Sequence, residues 1–224
     1  KAGLIDASHA HMDLGSFVLD ARGVRWAVDL GWQHYTGLEQ RGLDLWSYRQ
    51  DADRWTVFRL GPEAHNILRF DGGPQEVGAN VPIADFAARV SDRHTTVDLS
   101  SAYRGSVSAV RRTVKLEGNE RIEISDTWTT GDKPVDVAWQ WLTRAEVTIT
   151  SAGATLKENG ETLFLRVVAP AAGWSITVED TKDLLRSYDE PNPGLRRLVL
   201  HMRSEAGSEG QIVVSAEPGS RLTP

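Results

Sequence analysis

The sequence predicts an all-β fold: a large antiparallel β-sandwich of two or more packed sheets with few short helices. Three observations carry that expectation. Short apolar runs are joined repeatedly by Gly-containing turns of hairpin length. The segment Val135-Asp136-Val137-Ala138-Trp139-Gln140-Trp141 alternates with period two, which puts Val135, Val137, Trp139 and Trp141 on one face of a strand. Helical patterns are confined to two short stretches.

The first hairpin is read from Ser16-Phe17-Val18-Leu19-Asp20 and Val24-Arg25-Trp26-Ala27-Val28-Asp29 around the turn Ala21-Arg22-Gly23. One or two helical turns are expected within 37–48. Ile67-Leu68-Arg69-Phe70 forms the next strand and runs into Asp71-Gly72-Gly73. Residues 82–90 read as a short helix with Pro82 in its first turn, where a missing N–H costs nothing. A strand over 106–113 follows, and the apolar runs at 114–116 and 122–124 flank Glu117-Gly118-Asn119. Thr155-Leu156 and Leu163-Phe164-Leu165 flank Glu158-Asn159-Gly160-Glu161, whose Asn-Gly is the strongest hairpin signal in the chain. β-branched residues predict strands over 175–178, 195–201 and 212–215. Before the second of these, Glu190-Pro191-Asn192-Pro193-Gly194 reads as a surface connection. Trp26, Trp128, Trp139, Trp141 and Trp174 fall in strand patterns and are expected in the core.

Composition limits what such a fold can do. A chain of 224 residues suits one large β domain over 1–224, and 40% hydrophobic content with eight Trp supplies a real core. The net charge of −6 argues against a nucleic-acid-binding surface, while leaving room for a local basic cleft. With no Cys, any metal must be held by His and carboxylate. No run reaches the roughly 20 apolar residues of a membrane span. The densest motif stands directly after Lys1, so the segment is expected to be part of a longer protein.

That motif is Ser8-His9-Ala10-His11-Met12-Asp13-Leu14-Gly15-Ser16-Phe17. In an extended segment His9, His11 and Asp13 project to the same side. A lone histidine beside an apolar core is usually just hydrogen-bonded, but His-x-His with a carboxylate and a further His favours a metal, since imidazole and carboxylate are zinc ligands. The hairpin turn at 21–23 returns Asp29 to the level of the motif, where it is equally suited to join His11 or to cap the Leu30-Gly31 turn. His65, in Ala64-His65-Asn66-Ile67, precedes a strand and offers another ligand. Asp13 suits a role as hydrogen-bonding orienter of the histidines. Arg54, Arg59 and Trp55 lie between these segments, and a guanidinium pairs bidentately with carboxylate or sulfate, so they are candidates to face an anionic sugar.

The run from Ser8 to Phe17, then Gly23-Val24-Arg25-Trp26-Ala27-Val28-Asp29-Leu30-Gly31, Tyr35, Asp44-Leu45-Trp46, Arg54-Trp55-Thr56-Val57-Phe58-Arg59, Ala64-His65-Asn66-Ile67-Leu68, Asp71-Gly72 and Gln75, resembles the C-terminal β-sandwich of heparinase II/III-like polysaccharide lyases. Asp189-Glu190-Pro191-Asn192-Pro193-Gly194 is similar to a segment of the same family. The resemblance implies the cleft wall and metal-binding domain of a secreted or periplasmic lyase, whose upstream α/α-toroid domain holds a catalytic tyrosine. It implies β-elimination of uronic-acid polysaccharides such as heparin, heparan sulfate or alginate, with an acidic polysaccharide as partner and the isolated segment inactive. By position it implies His9 as the catalytic histidine, and His11, Asp29 and His65 as ligands of one organising zinc ion.

Two readings of other classes stand beside this one. A non-catalytic carbohydrate-binding or structural sandwich would keep the motif for stability alone. A self-contained metal-dependent oxygenase or hydrolase would use two His and one carboxylate as a facial triad.

Overall fold

The computed structural model describes residues 1–7, 9–118 and 120–219, so Ser8 of the motif and Asn119 of the 117–119 turn lie outside the described residues. Its strands run in chain order as β1 (Gly3–Leu4), β2 (Leu19–Ala21), β3 (Val24–Ala27), β4 (Leu68–Phe70), β5 (Asn80–Val81), β6 (Ile83–Arg89), β7 (Asp92–Asp98) and β8 (Val107–Glu117). The second half adds β9 (Arg121–Thr130), β10 (Val135–Thr143), β11 (Glu146–Thr150), β12 (Gly153–Glu158), β13 (Glu161–Ala169), β14 (Trp174–Asp180), β15 (Arg196–Ser204) and β16 (Glu209–Pro218). The only α-helix among the described residues is α1 (Tyr35–Glu39). An eight-stranded sheet in the order β11-β12-β13-β16-β9-β8-β7-β6 packs against a four-stranded one in the order β14-β15-β10-β4. This is the all-β sandwich the hairpin grammar predicts.

Alternation explains the core. On β10, Val135, Val137, Trp139 and Trp141 are buried together, as their spacing predicts. They meet Ile124 and Trp128 of β9, Leu163 and Leu165 of β13, and Ile212 and Val214 of β16 in one cluster. Burying side chains of this size contributes roughly 1.5–3 kcal/mol each, which is what holds two twisted sheets face to face. Trp26 is likewise fully buried, whereas Trp174 sits half-buried at the sheet edge.

Residues 82–90 overturn a sequence expectation. They form no helix: β6 pairs antiparallel with β7, Phe86 opposite Thr95 and Ala87 opposite His94. The alanines favour a helix locally, but the β-branched partner Thr95-Thr96-Val97, itself paired to β8, offers a ladder that outweighs a weak propensity. The helix expected within 37–48 is the five-residue α1, which begins two residues earlier, keeps only its last three residues in that range, and closes before Gly42 at φ +83°.

A buried polar axis ties the two sheets to the N-terminal segments. Arg112 of β8 and Asp126 of β9 form a bidentate ion pair at 2.7 and 2.8 Å, with both side chains essentially inaccessible. Trp139 Nε1 donates to the same Asp126 carboxylate at 2.9 Å, which crosses to the four-stranded sheet. The Arg112 guanidinium also donates to the carbonyls of Gly15 (2.8 Å) and Asn66 (2.7 Å). Asn66 in turn donates to Phe17 O and Val28 O and accepts from Leu142 N. Residues 15–17, 28 and 66, which flank the motif histidines and Asp29, are thereby fixed to one point of the core. Gly15 is required there, because its φ is +84° and a Cβ would meet Leu99 Cδ1 at 2.9 Å.

Candidate active and metal-binding site

His9 and His11 do not share a side. His9 adopts the left-handed region at φ +64°, which breaks the extended run and leaves its ring exposed, while His11 and Asp13 turn inward. The expectation of three groups on one strand face therefore gives way to two adjoining sites.

The inner site joins three chain segments. His11, Asp13 and His65 each offer a ligand atom within 4.8 Å of the others. Asp29 reaches the same group through His65, its Oδ2 lying 2.9 Å from Nδ1. The turn-capping reading of Asp29 is met, because its Oδ1 accepts from Gly31 N at 3.0 Å, while its other oxygen contacts His65 and not His11. His65 is wholly buried and its Nε2 has no hydrogen-bond partner. The imidazoles of His11 and His65 lie 5.4 Å apart, centre to centre. Burial, followed by the neighbouring His65, pushes His11 down to about 4, so its ring is neutral and its lone pair free at pH 7. Burial raises Asp29, but its hydrogen bond to His65 and the nearby charges outweigh that and hold the carboxyl below its usual range. The neutral His11 imidazole, an ionised carboxylate and the orphaned Nε2 of the buried His65 ring suit a divalent metal with nitrogen and oxygen ligands.

The outer site is aromatic and open. The Tyr35 ring stacks on His9 at 5.7 Å and 17°, and Tyr35 Oη is 3.4 Å from His9 Nδ1. Trp46 meets both rings edge-on, at 5.7 Å from His9 and 5.5 Å from Tyr35. Trp32, 56% exposed, stands edge-on to Tyr35 at 6.0 Å. His9, Trp32 and Tyr35 line a pocket of about 460 Å³. Tyr35 opens α1, Trp46 belongs to the Asp44-Leu45-Trp46 stretch that carries the family resemblance, and Trp32 had no sequence signal beyond its residue type.

Arg54, Arg59 and Trp55 take structural places. Arg54 is fully buried between the rings of Tyr48 and Trp55, and donates to Leu45 O and, at 2.8 Å, to Ala10 O. It thus grips the peptide between His9 and His11. Trp55 is buried, with its Nε1 on Arg49 O. Arg59 pairs with Glu190 at 2.9 Å and with Asn192 Oδ1 at 2.9 and 3.2 Å. None of the three points into the His9 pocket.

Fold and site together define a β-sandwich that sets a histidine-carboxylate cluster beside an exposed histidine in an aromatic pocket. The chain belongs to the heparinase II/III-like family: the model of that family's C-terminal domain matches residues 1–216. Among solved structures, the fold is similar to heparan sulfate lyase HepC from Pedobacter heparinus, at 13% identity and TM-score 0.70, over 96% of this chain and 32% of that one. It is also similar to a heparinase III at 16% identity and TM-score 0.67, over 99% of this chain and 32% of that one. The chain therefore spans about a third of the length of these proteins. No curated protein sequence matches it.

Proposed function

We propose that this chain is one wall of the substrate cleft of a polysaccharide lyase, and that the whole protein cleaves uronic-acid-containing acidic polysaccharides by β-elimination. The observation that carries the reading is the adjacency of an exposed His9, stacked on Tyr35 in an open pocket, to a buried ligand cluster one residue beyond Ala10. The family membership and the heparan sulfate lyase among the similar folds support the substrate class. A polymeric substrate of this kind is met outside the cytoplasm, which supports a secreted or periplasmic enzyme. Among the described residues no helix is long and apolar enough to cross a membrane.

In β-elimination the C5–H bond breaks, its electron pair forms the C4–C5 double bond, and the C4–O4 bond breaks as an acid protonates the departing oxygen. Charge accumulates beside the C6 carboxylate, so the step needs a proton carrier at the sugar and a donor that offsets the charge. His9 is the proton carrier this wall supplies, since an imidazole can both donate and accept a proton and its Nδ1 lies 3.4 Å from Tyr35 Oη. Trp32 and Trp46, each about half exposed, give flat apolar faces against which a pyranose ring packs and from which water is excluded. The remaining groups, a catalytic tyrosine and the one that neutralises the carboxylate, belong to an upstream α/α-toroid domain in this proposal, so the segment alone binds metal but does not turn over substrate.

His11, Asp29 and His65 are the proposed holders of one zinc ion, with Asp13 beside them. A zinc ion there supplies fixed positive charge and cross-links the 9–13, 29 and 65 segments. The unpartnered His65 Nε2 favours a second arrangement, in which Asp29 orients the ring through Nδ1 and Asp13 takes the carboxylate position. Zinc analysis of Asp29→Ala and Asp13→Ala separates the two: the variant that loses the metal outright carries the ligand.

A further inference from the structure

The connection between Asp180 and β15 contributes nothing to either site directly, yet residues 188–192 are bonded to the segments that build the His9 pocket. Gln33 Nε2 donates to Tyr188 O at 2.7 Å, and Gln33 Oε1 accepts from Glu190 N at 3.1 Å. His34 N donates to Glu190 Oε1 at 3.2 Å. The other Glu190 oxygen pairs with Arg59 at 2.9 Å, and Arg59 donates onward to Trp32 O at 3.0 Å and to Asn192 Oδ1. Two further contacts anchor the strap to the floor: Asp189 Oδ1 accepts from Phe58 N at 2.8 Å, and Tyr188 Oη lies 2.7 Å from Thr56 Oγ1. Gln33 and Asn192 are both buried, so their own bonds are shielded from competing water, whereas the Glu190 carboxylate reaches Arg59 and His34 N at the surface.

What the strap holds is the entry to α1. Residues 32–34 belong to no strand or helix of their own, and His34, the residue before α1, offers no capping side chain. Their geometry is set by Gln33, Glu190 and Arg59, and the next residue is Tyr35, whose ring stacks on His9. A helix of five residues cannot fix its own orientation.

We propose that residues 188–192 are a positioning strap: Glu190, through His34 N and Arg59, holds the Trp32–Tyr35 corner so that Tyr35 stays stacked on His9 and the aromatic wall faces the sugar. Glu190 is a positioning residue that touches no substrate. This rests on the lyase reading only for its effect on turnover; the stacking itself is read without activity. Proton NMR of the segment provides that reading. The His9 ring signal, assigned by its loss in His9→Ala, is displaced by the neighbouring rings of Tyr35 and Trp46, and Tyr35→Leu gives its unstacked position. Glu190→Ala moves the His9 signal toward that position while the His11 and His65 signals and the bound zinc stay as they are, and Glu190→Gln, which keeps an acceptor for His34 N, restores most of the displacement. In the full-length protein Glu190→Ala lowers kcat roughly tenfold or more with a smaller change in KM, as misplacement of a reacting group does. If Glu190→Ala does not fold, Gln33→Ala, which removes two of the bonds to the strap and leaves the Arg59 pair, gives the same comparison. A His9 signal unmoved in the folded variant overturns the proposal. A signal that moves in a full-length protein without lyase activity upholds the strap and overturns the lyase reading instead.

Discussion

His65 Nδ1 meets Asp29 Oδ2 at 2.9 Å, and the same buried ring leaves Nε2 without a partner. A buried imidazole with one nitrogen committed and the other orphaned costs stability, since an unsatisfied buried polar atom costs roughly 1–3 kcal/mol. A metal ion bound there, as proposed, would offset that cost. His11→Ala is therefore expected to lose zinc and thermal stability together, because it removes one ligand from a cross-link between three segments. His9→Ala keeps both zinc and fold, since the His9 ring is exposed, and abolishes activity in the full-length protein. Metal analysis and thermal melts of the two variants check this; zinc lost from His9→Ala and retained in His11→Ala would mean that the roles are exchanged.

Arg54 is expected to act through the backbone. Arg54→Met leaves Ala10 O and Leu45 O buried without their donor, at roughly 1–3 kcal/mol for each. Urea melts should show that loss. Ligand affinity per folded molecule should change no more than the shift of His9 dictates. A variant with unaltered stability and tenfold weaker binding of an acidic oligosaccharide would return Arg54 to a substrate-facing role.

The β6–β7 pairing makes a pH-dependent prediction. His94 Nε2 lies 3.0 Å from Asp85 and Nδ1 2.8 Å from Asp92, and these two hydrogen bonds raise its pKa above the usual histidine value. The pairing is strongest while His94 is protonated: its contribution is complete below about pH 6.5 and is lost as pH rises through the raised value. An NMR titration should find the His94 midpoint raised, and lowered again in Asp85→Asn. An unshifted midpoint in the parent chain would count against this register, because a helix over 82–90 places Asp85 away from His94.

Most of the sandwich was legible because its signals are local. The Asn159-Gly160 turn and the alternation on β10 each need only a few neighbouring residues to be read, and both stand as expected. Residues 82–90 were not legible, since Ala-rich sequence says helix and only the distant partner at 92–98 says strand. The site divides in the same way. His11, Asp29 and His65 were legible through the family resemblance, spacing alone leaving Asp29 open; the structure groups His11 and His65 with Asp13, and Asp29 reaches them through His65. Arg54 and Arg59 carry no local mark that distinguishes a buried clamp from a sugar ligand. Their fate depends on Ala10, Glu190 and Asn192, up to 133 positions away. The Gln33–Glu190 contact spans 157 positions and has no sequence signature at all.

The central claim is tested most directly by incubating the full-length protein with heparan-type, chondroitin-type and alginate-type polymers and following ultraviolet absorbance alongside reducing ends. The lyase account predicts that absorbance from a 4,5-unsaturated uronate rises in step with chain cleavage for at least one polymer, and that His9→Ala abolishes both. Reducing ends that appear without that absorbance would show hydrolysis and contradict the account.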